Sequence, residues 1–156
     1  MLHTNKRRKF EMLVENANRC NLCARMCGRK KVLSGNNGNI DSKVIFIGEA
    51  PGRLGADRTG IPFYGDQAGQ NFERLLQSTG LTRQQVFITN AVLCNPRDEK
   101  GNNSPPNKEE VRNCSLHLSI LIDIIERESD DTNEHERDVE DKALIQDKTA
   151  FLPVDL

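Results

Sequence analysis

Residues 43–52 read KVIFIGEAPG, an apolar run that stops at a loop rich in glycine and proline. A continuous run of this kind is typical of a parallel strand that is buried on both faces, so it predicts a strand over Val44–Ile47. Residues 86–93, VFITNAVL, repeat the pattern and predict a second strand. The segment from the first strand to about Asp66 is expected to be a loop, because glycine and proline recur along it.

Helical patterns flank both strands. Apolar residues at positions i, i+3, i+4 and i+7 predict amphipathic helices over Phe10–Ala17 and Phe72–Thr79, the latter closed by Gly80. A third helix is expected from Asn107, whose spacing to Glu110 is that of a capping box. Helices that alternate with strands indicate an α/β fold with a parallel sheet, and two strands alone leave that sheet incomplete.

The composition fits one domain with a tail. The chain has 156 residues, 36% hydrophobic and 29% charged, and lacks the apolar run of about 18 residues that would predict a transmembrane helix. Residues 1–60 carry 12 Lys and Arg against 5 Asp and Glu, whereas the rest of the chain carries 10 against 18. The basic part suits a polyanionic partner, and we expect a domain over residues 1–125 and a flexible acidic tail over 126–156. No apolar segment follows the basic N-terminus, so we expect a cytoplasmic protein without a membrane partner.

The five cysteines predict a metal site. Cys20 and Cys23 form a C-x2-C pair, 70 residues separate this pair from Cys94, and 19 more separate Cys94 from Cys114. In a reducing compartment this pattern favours metal binding over disulfides, and the spacing suits either zinc or an iron–sulfur cluster. Cys27 is either a competing ligand or a small buried side chain.

The ends of the two strands predict a ligand site. In an open α/β sheet, ligands bind beyond the carboxyl ends of the strands, where Gly48 and Gly52 let the backbone approach closely. Asn90 ends the second strand, and its carboxamide offers a donor and an acceptor together, as reading the edge of a base requires. Basic clusters at residues 6–9 and 29–31 are suited to phosphate contact.

Two long segments resemble a known family. The segment IGEAPGRLGADRTGIPFYGDQAGQNFERLL at residues 47–76, the segment VFITNAVLCNPRD at residues 86–98 and the upstream C-x2-C pair are similar to those of the iron–sulfur (family 4-like) uracil-DNA glycosylases. The resemblance extends from about Cys20 to about Leu121. It implies a three-layer α/β/α fold around a four-stranded parallel sheet. It also implies a monomer that hydrolyses the N-glycosidic bond of uracil in single- or double-stranded DNA.

The resemblance also implies roles for individual residues. A [4Fe–4S] cluster would be held by Cys20, Cys23, Cys94 and Cys114, and zinc is the alternative that the spacing leaves open. Phe63 would stack on a flipped-out uracil, and Asn90 would bind its pyrimidine edge. Glu49 would act at the sugar side, where water attacks, together with its substrate-binding neighbours Gly48, Ala50, Pro51 and Gly52. Family members commonly carry a second acid a few positions later, and Asp57 is the nearest substitute here.

The C-terminal part departs from the family. The family's last two strands, and its His-Pro motif whose histidine stabilises the leaving uracil, have no counterpart after about Ile125. None of His3, His117 and His135 precedes a proline. We therefore expect an incomplete sheet and weak or absent activity. Two alternatives stay open: a non-catalytic iron–sulfur or zinc module that binds DNA, and an inactive gene remnant.

Overall fold

A computed structural model describes residues 5–127 and shows an α/β fold. Its elements are the helix α1 (Asn5–Arg19), the strand β1 (Ile45–Gly48), the helices α2 (Ala56–Thr59) and α3 (Gln67–Thr79), the strand β2 (Phe87–Asn90) and the helix α4 (Lys108–Glu126), with 3-10 turns at Ala24–Met26, Gly35–Asn37 and Arg83–Gln85. Within residues 5–127 the sheet consists of β1 and β2, which pair in parallel with Gly48 opposite Asn90. The predicted parallel α/β pattern is therefore confirmed.

Helices cover both faces of this sheet. On one face, Phe87 of β2 packs in a core with α1 and α4, and the rings of Phe10 and Phe87 meet edge to face at 5.8 Å. On the other face, Ile88 packs in a second core with Phe72 and Leu76 of α3. Because successive side chains of a strand point to opposite faces, neighbouring residues of β2 serve the two cores. This gives the three layers that the resemblance implies.

The two strands differ in burial, which corrects one prediction. All four residues of β2 are buried, whereas β1 is half-exposed and Ile47 keeps 47% of its surface accessible. The far edge of β2 is covered by the segment around Gly38, where the Asn39 amide donates to the Val86 carbonyl oxygen at 3.0 Å. No described segment in residues 5–127 pairs with the other edge of β1. The predicted strand is therefore present, but the prediction that it is buried on both faces is wrong.

Local signals fixed the helix ends as predicted. Gly80 closes α3 in the left-handed conformation with φ 72°. Asn107 and Glu110 form a reciprocal capping box at the start of α4, with backbone-to-side-chain distances of 2.8 and 2.9 Å. The loop after β1 is less irregular than predicted, because it contains α2. The helix α4 ends at Glu126, and residues 128–156 of the predicted acidic tail lie outside the described residues.

One predicted phosphate contact is instead structural. The Lys6 ammonium is buried, donates to the carbonyl oxygen of Ile125 at 3.0 Å and pairs with Asp41 at 3.2 Å. It therefore binds α1 to the carboxyl end of α4 and is not available to DNA. Across residues 5–127, no helix has the length and hydropathy needed to cross a membrane.

Candidate functional site

The parallel pairing places three of the predicted site residues against one another. A Cβ atom at position 48 would lie 2.5 Å from Oδ1 of Asn90 and 2.6 Å from Cζ of Phe63. Both distances are far below van der Waals contact, so only glycine allows the amide and the aromatic ring to meet over the end of β1. The sequence predicted Gly48, Phe63 and Asn90 separately, and the structure brings them together.

Asn90 is a buried polar side chain without a partner in the described structure. It is 2% exposed, and within residues 5–127 its carboxamide makes no hydrogen bond. Its Oδ1 and Nδ2 atoms are not among the fully buried side-chain atoms of residues 5–127 that lack a partner, so the carboxamide is accessible at the end of β2 and open to a ligand. A ligand that accepts from Nδ2 and donates to Oδ1 would satisfy it.

Phe63 is held in an unusual backbone conformation. With φ 50°, it is the one residue other than glycine that has a positive φ among residues 5–127. Its ring stacks on Phe72 at 4.9 Å, and Arg83 donates to the carbonyl oxygens of Pro62 at 3.0 Å and of Phe63 at 2.5 Å. A left-handed phenylalanine costs energy that surrounding contacts must offset. The ring is thus positioned by α3 and Arg83.

The loop after β1 is fixed mainly through its backbone. The amides of Ala91 and Val92 donate to the carbonyl oxygens of Gly48 at 2.8 Å and of Glu49 at 3.0 Å. The carbonyl oxygen of Pro51 accepts from Nδ2 of Asn95 at 2.7 Å. These bonds leave the side chain of Glu49 exposed beside the end of β1.

Two further carboxylates lie in this loop region. Asp57, the predicted second acid, sits in α2 and forms an ion pair with Arg97 at 2.6 Å. Asp66, which no sequence pattern marked as a site residue, lies against Gly52, the last residue of the GEAPG segment (residues 48–52), and against Gly55: a Cβ at these positions would come within 2.8 and 2.3 Å of its Oδ2. Asp66 also caps α3 by accepting from the Gly69 amide at 2.9 Å. A helix cap was the only signal for it in the sequence.

The four predicted metal ligands line one pocket. The pocket is formed by Cys20, Asn21, Leu22, Cys23, Met26, Cys94, Asn113 and Cys114. Cys94 and Cys114 are buried, and Cys20 and Cys23 are half-buried. Cys27 is exposed and lies outside the pocket wall. The fold therefore brings the C-x2-C pair together with two cysteines from which at least 70 intervening residues separate it.

Burial favours the protonated form of the two buried thiols of this pocket. Burial raises the pKa of Cys94 to about 12 and that of Cys114 to about 11. The Leu93 amide donates to Sγ of Cys114 at 3.5 Å, and Asn113 donates from Nδ2 to Sγ of Cys23 at 3.4 Å. Such N–H···S bonds favour the thiolate that a metal requires, and metal binding would release the protons.

The four thiols of this pocket suit a metal group that takes thiolate ligands, either an iron–sulfur cluster or zinc. Tetrahedral zinc bound at about 2.3 Å would need all four sulfurs within about 4 Å of one another. Among residues 5–127, no three or more His, Cys, Asp or Glu side chains are grouped closely enough to hold one metal ion. An iron–sulfur cluster takes its cysteines on separate irons and so accepts thiols spread around a pocket. Four thiols in one lining are a donor set that such a cluster would accept.

Comparisons with known proteins agree with this architecture. The family model of the uracil DNA glycosylase superfamily matches residues 36–129. The type-4 uracil-DNA glycosylase of Thermotoga maritima is 37% identical over 116 residues, which cover 74% of this chain and 57% of the relative. That of Saccharolobus solfataricus is 37% identical over 117 residues, covering 74% and 51%. The type-5 uracil-DNA glycosylase of Thermus thermophilus is 30% identical over 143 residues, covering 74% and 63%. The chain thus spans about half the length of the type-4 relatives it matches.

Proposed function

Because the chain belongs to the uracil-DNA glycosylase superfamily, we propose that it hydrolyses the N-glycosidic bond of uracil in DNA at a low rate, with the uracil bound over the carboxyl ends of β1 and β2. The observation that carries this proposal is the meeting of Asn90 and Phe63 over Gly48: the Asn90 residue is 2% exposed, yet its carboxamide atoms stay open to a ligand beside the Phe63 ring. A base that leaves the DNA stack needs both an aromatic surface and a partner for its edge.

Uracil matches the Asn90 carboxamide at two positions. Nδ2 donates to O4 of the base, and Oδ1 accepts from N3–H. Cytosine presents the opposite pattern, so both contacts would become repulsive and the buried amide would stay unsatisfied at about 1–3 kcal/mol per group. Phe63 supplies the stacking surface, and its support by Phe72 keeps the ring in place before the base arrives.

Carboxylates on the sugar side assist the bond cleavage. As the N-glycosidic bond breaks, positive charge develops on the deoxyribose and negative charge on the departing uracil, so a carboxylate near the sugar stabilises the transition state. Glu49 is assigned this position because it follows Gly48 directly. Asp57 and Asp66 compete for the role of a second acid that positions water. Asp66 is favoured because Arg97 neutralises Asp57, whereas Asp66 lies on the GEAPG segment.

The four pocket cysteines are assigned to a [4Fe–4S] cluster, and zinc is the alternative. The bound cluster would contribute to structure, since it would join the end of α1, the segment after β2 and the helix α4. The pocket and its two N–H···S bonds support this assignment. The partner is DNA that contains uracil. Its strandedness, the monomeric state and the cytoplasmic location stay predictions from the sequence.

Release of uracil tests the proposal. The chain, purified without oxygen, is incubated with an oligonucleotide that contains one uracil, and the free base is quantified under single-turnover conditions. Asn90→Ala should lower the rate about 10²-fold or more, as loss of a transition-state hydrogen-bond group does. Asn71→Ala is the matched control, because Asn71 is exposed on α3, and it should leave the rate unchanged.

Two outcomes would contradict the proposal. One is that the chain releases no uracil, and the other is that Asn90→Ala releases it at the unaltered rate. Salt-sensitive DNA binding without release, lost when Lys30 and Lys31 are both replaced by glutamine, would instead support the non-catalytic module.

A further inference from the structure

Arg25 lies in the turn that follows the C-x2-C pair and forms a two-armed ion pair with α4. Its Nε donates to Oε1 of Glu110 at 2.8 Å, and its Nη2 donates to Oε2 at 2.6 Å. The Glu110 side chain is 4% exposed and that of Arg25 is 34% exposed. A fork-to-fork pair of this kind fixes orientation as well as distance.

Glu110 is itself fixed in the helix that carries a cysteine. It occupies the third position of α4, where its carboxylate accepts from the Asn107 amide at 2.8 Å as part of the capping box. Cys114 follows four residues later, about one helical turn away, so it lies on the same side of α4. Arg25 is therefore bound directly to the helix turn that presents Cys114.

The remaining donors of Arg25 bind the segment that leads away from Cys94. Nη1 contacts Oγ of Ser104 at 3.1 Å and the carbonyl oxygen of Arg97 at 3.4 Å, and Nη2 contacts the carbonyl oxygen of Pro105 at 3.1 Å. One guanidinium thus joins the C-x2-C turn, the segment after Cys94 and the start of α4. Lysine could not replace it, because an ammonium lacks the planar fork and two of the five donors.

We infer that Arg25 is a positioning residue for the metal centre: its pair with Glu110 holds Cys20 and Cys23 in register with Cys94 and Cys114. The inference rests on the proposed cluster. The C-x2-C turn is a short segment without a long helix or strand of its own, since its one regular element is the 3-10 turn Ala24–Met26. The contacts of Arg25 therefore supply the fixed geometry that the turn lacks.

The test measures cluster retention in the full chain. Iron and acid-labile sulfide are quantified after anaerobic purification, and decay of the cluster absorbance is followed after addition of a ferrous-iron chelator. Arg25→Gln should lose the cluster about 10- to 100-fold faster, the usual effect of removing an outer partner of a metal site. Arg19→Gln is the matched control: Arg19 precedes Cys20 directly, but its ion pair with Glu15 spans 4.0 Å between exposed side chains. Its decay should equal that of the unaltered chain.

Milder variants keep the inference testable if Arg25→Gln does not fold. Arg25→Lys keeps the charge and Glu110→Gln keeps the capping box, and each should shorten the lifetime of the cluster. Their double variant should decay no faster than the worse single variant, because both remove one interaction. The unfolding temperature of each metal-free protein is measured alongside. If Arg25 only stabilised the fold, its replacement would lower this unfolding temperature and leave the rate of cluster decay unchanged.

Several results would overturn the inference. They are a chain without iron and sulfide, a cluster in Arg25→Gln that lasts as long as in the unaltered chain, and equal decay in Arg19→Gln and Arg25→Gln. A chain that holds the cluster, depends on Arg25 for its retention and yet releases no uracil would contradict the proposed function and leave the inference standing.

Discussion

At the scale of single residues, the candidate site depends on an absent side chain. Gly48 leaves the space in which Asn90 and Phe63 meet, and the positive φ of Phe63 directs that ring over the end of β1. Asn90 without Phe63, or Phe63 without Asn90, would not form a pocket for a base. The site is therefore sensitive to substitutions that add a few atoms.

Gly48→Ala should damage the site more than the fold. The added methyl would come within 2.6 Å of both Oδ1 of Asn90 and Cζ of Phe63, so both side chains must move. A displacement of about 1 Å at a reacting centre can cost about 10²-fold in rate. We expect uracil release to fall by about that factor, with a small change in unfolding temperature. Release at the unaltered rate would show that the pocket lies elsewhere.

The two competing acids can be separated by isosteric substitutions. Asparagine caps helices as well as aspartate does, so Asp66→Asn should keep α3 and the unfolding temperature. We expect it to lower uracil release about 10-fold or more, because it removes the charge that lies on the GEAPG segment. Asp57→Asn breaks the ion pair with Arg97 and should mainly lower the unfolding temperature. If Asp57→Asn lowers the rate of uracil release and Asp66→Asn does not, Asp57 is the second acid.

At the scale of elements, the start of α4 combines a cap with an ion pair. The hydrogen bonds from Arg25, aided by the Asn107 amide, hold the pKa of Glu110 below its usual range despite its burial. Both partners stabilise the ionised carboxylate and thereby link helix stability to pH. The same residue thus serves the local helix and the long-range contact.

Acid should remove the stabilisation that Glu110 provides. Because its folded pKa is lowered, the contribution is present above the unfolded value of about 4.3 and is lost as pH falls through the folded value. Urea unfolding of the metal-free protein should show that Glu110→Gln is less stable at pH 7 and no less stable at pH 2. A difference that is equal at the two pH values would contradict this account.

At the scale of the whole molecule, a metal centre would link segments from both ends of the described chain. The cysteine pocket joins the end of α1, the segment after β2 and α4, and Lys6 binds α1 to the end of α4 a second time. A structural metal contributes its binding energy to folding, so its removal should lower the unfolding temperature.

The cysteines should not contribute equally. Cys94→Ser should abolish iron binding, because Cys94 lies in the pocket wall, and the apoprotein should unfold at lower temperature than the holoprotein. Cys27→Ser is the matched control: Cys27 is exposed and outside that wall, so iron content should stay unchanged. Iron loss in Cys27→Ser would make Cys27 a ligand after all.

Structural features that depend on residues close together in sequence were predicted correctly. The helix spacing, the Gly80 cap and the Asn107–Glu110 box are local patterns, and all three were confirmed. The parallel pair followed from two apolar runs joined by a helix. Features created by long-range contacts were missed, because no local pattern encodes them.

Three examples show what long-range contacts changed. Lys6 reads as part of a basic cluster, yet it lies against Ile125, 119 residues away. Asp66 reads as a helix cap, yet its carboxylate also packs on Gly52 and Gly55. Arg25 and Glu110 are 85 residues apart, so nothing in either segment predicted their pair.

The most direct test of the central claim, that Asn90 reads uracil, is a nuclear magnetic resonance titration that does not depend on catalysis. The side-chain amide resonances of Asn90 are assigned by their absence in Asn90→Asp, and free uracil or cytosine is added to the isotope-labelled chain. We predict that uracil shifts the Asn90 amide resonances and that cytosine leaves them in place. No shift with uracil, or equal shifts with both bases, would contradict the claim.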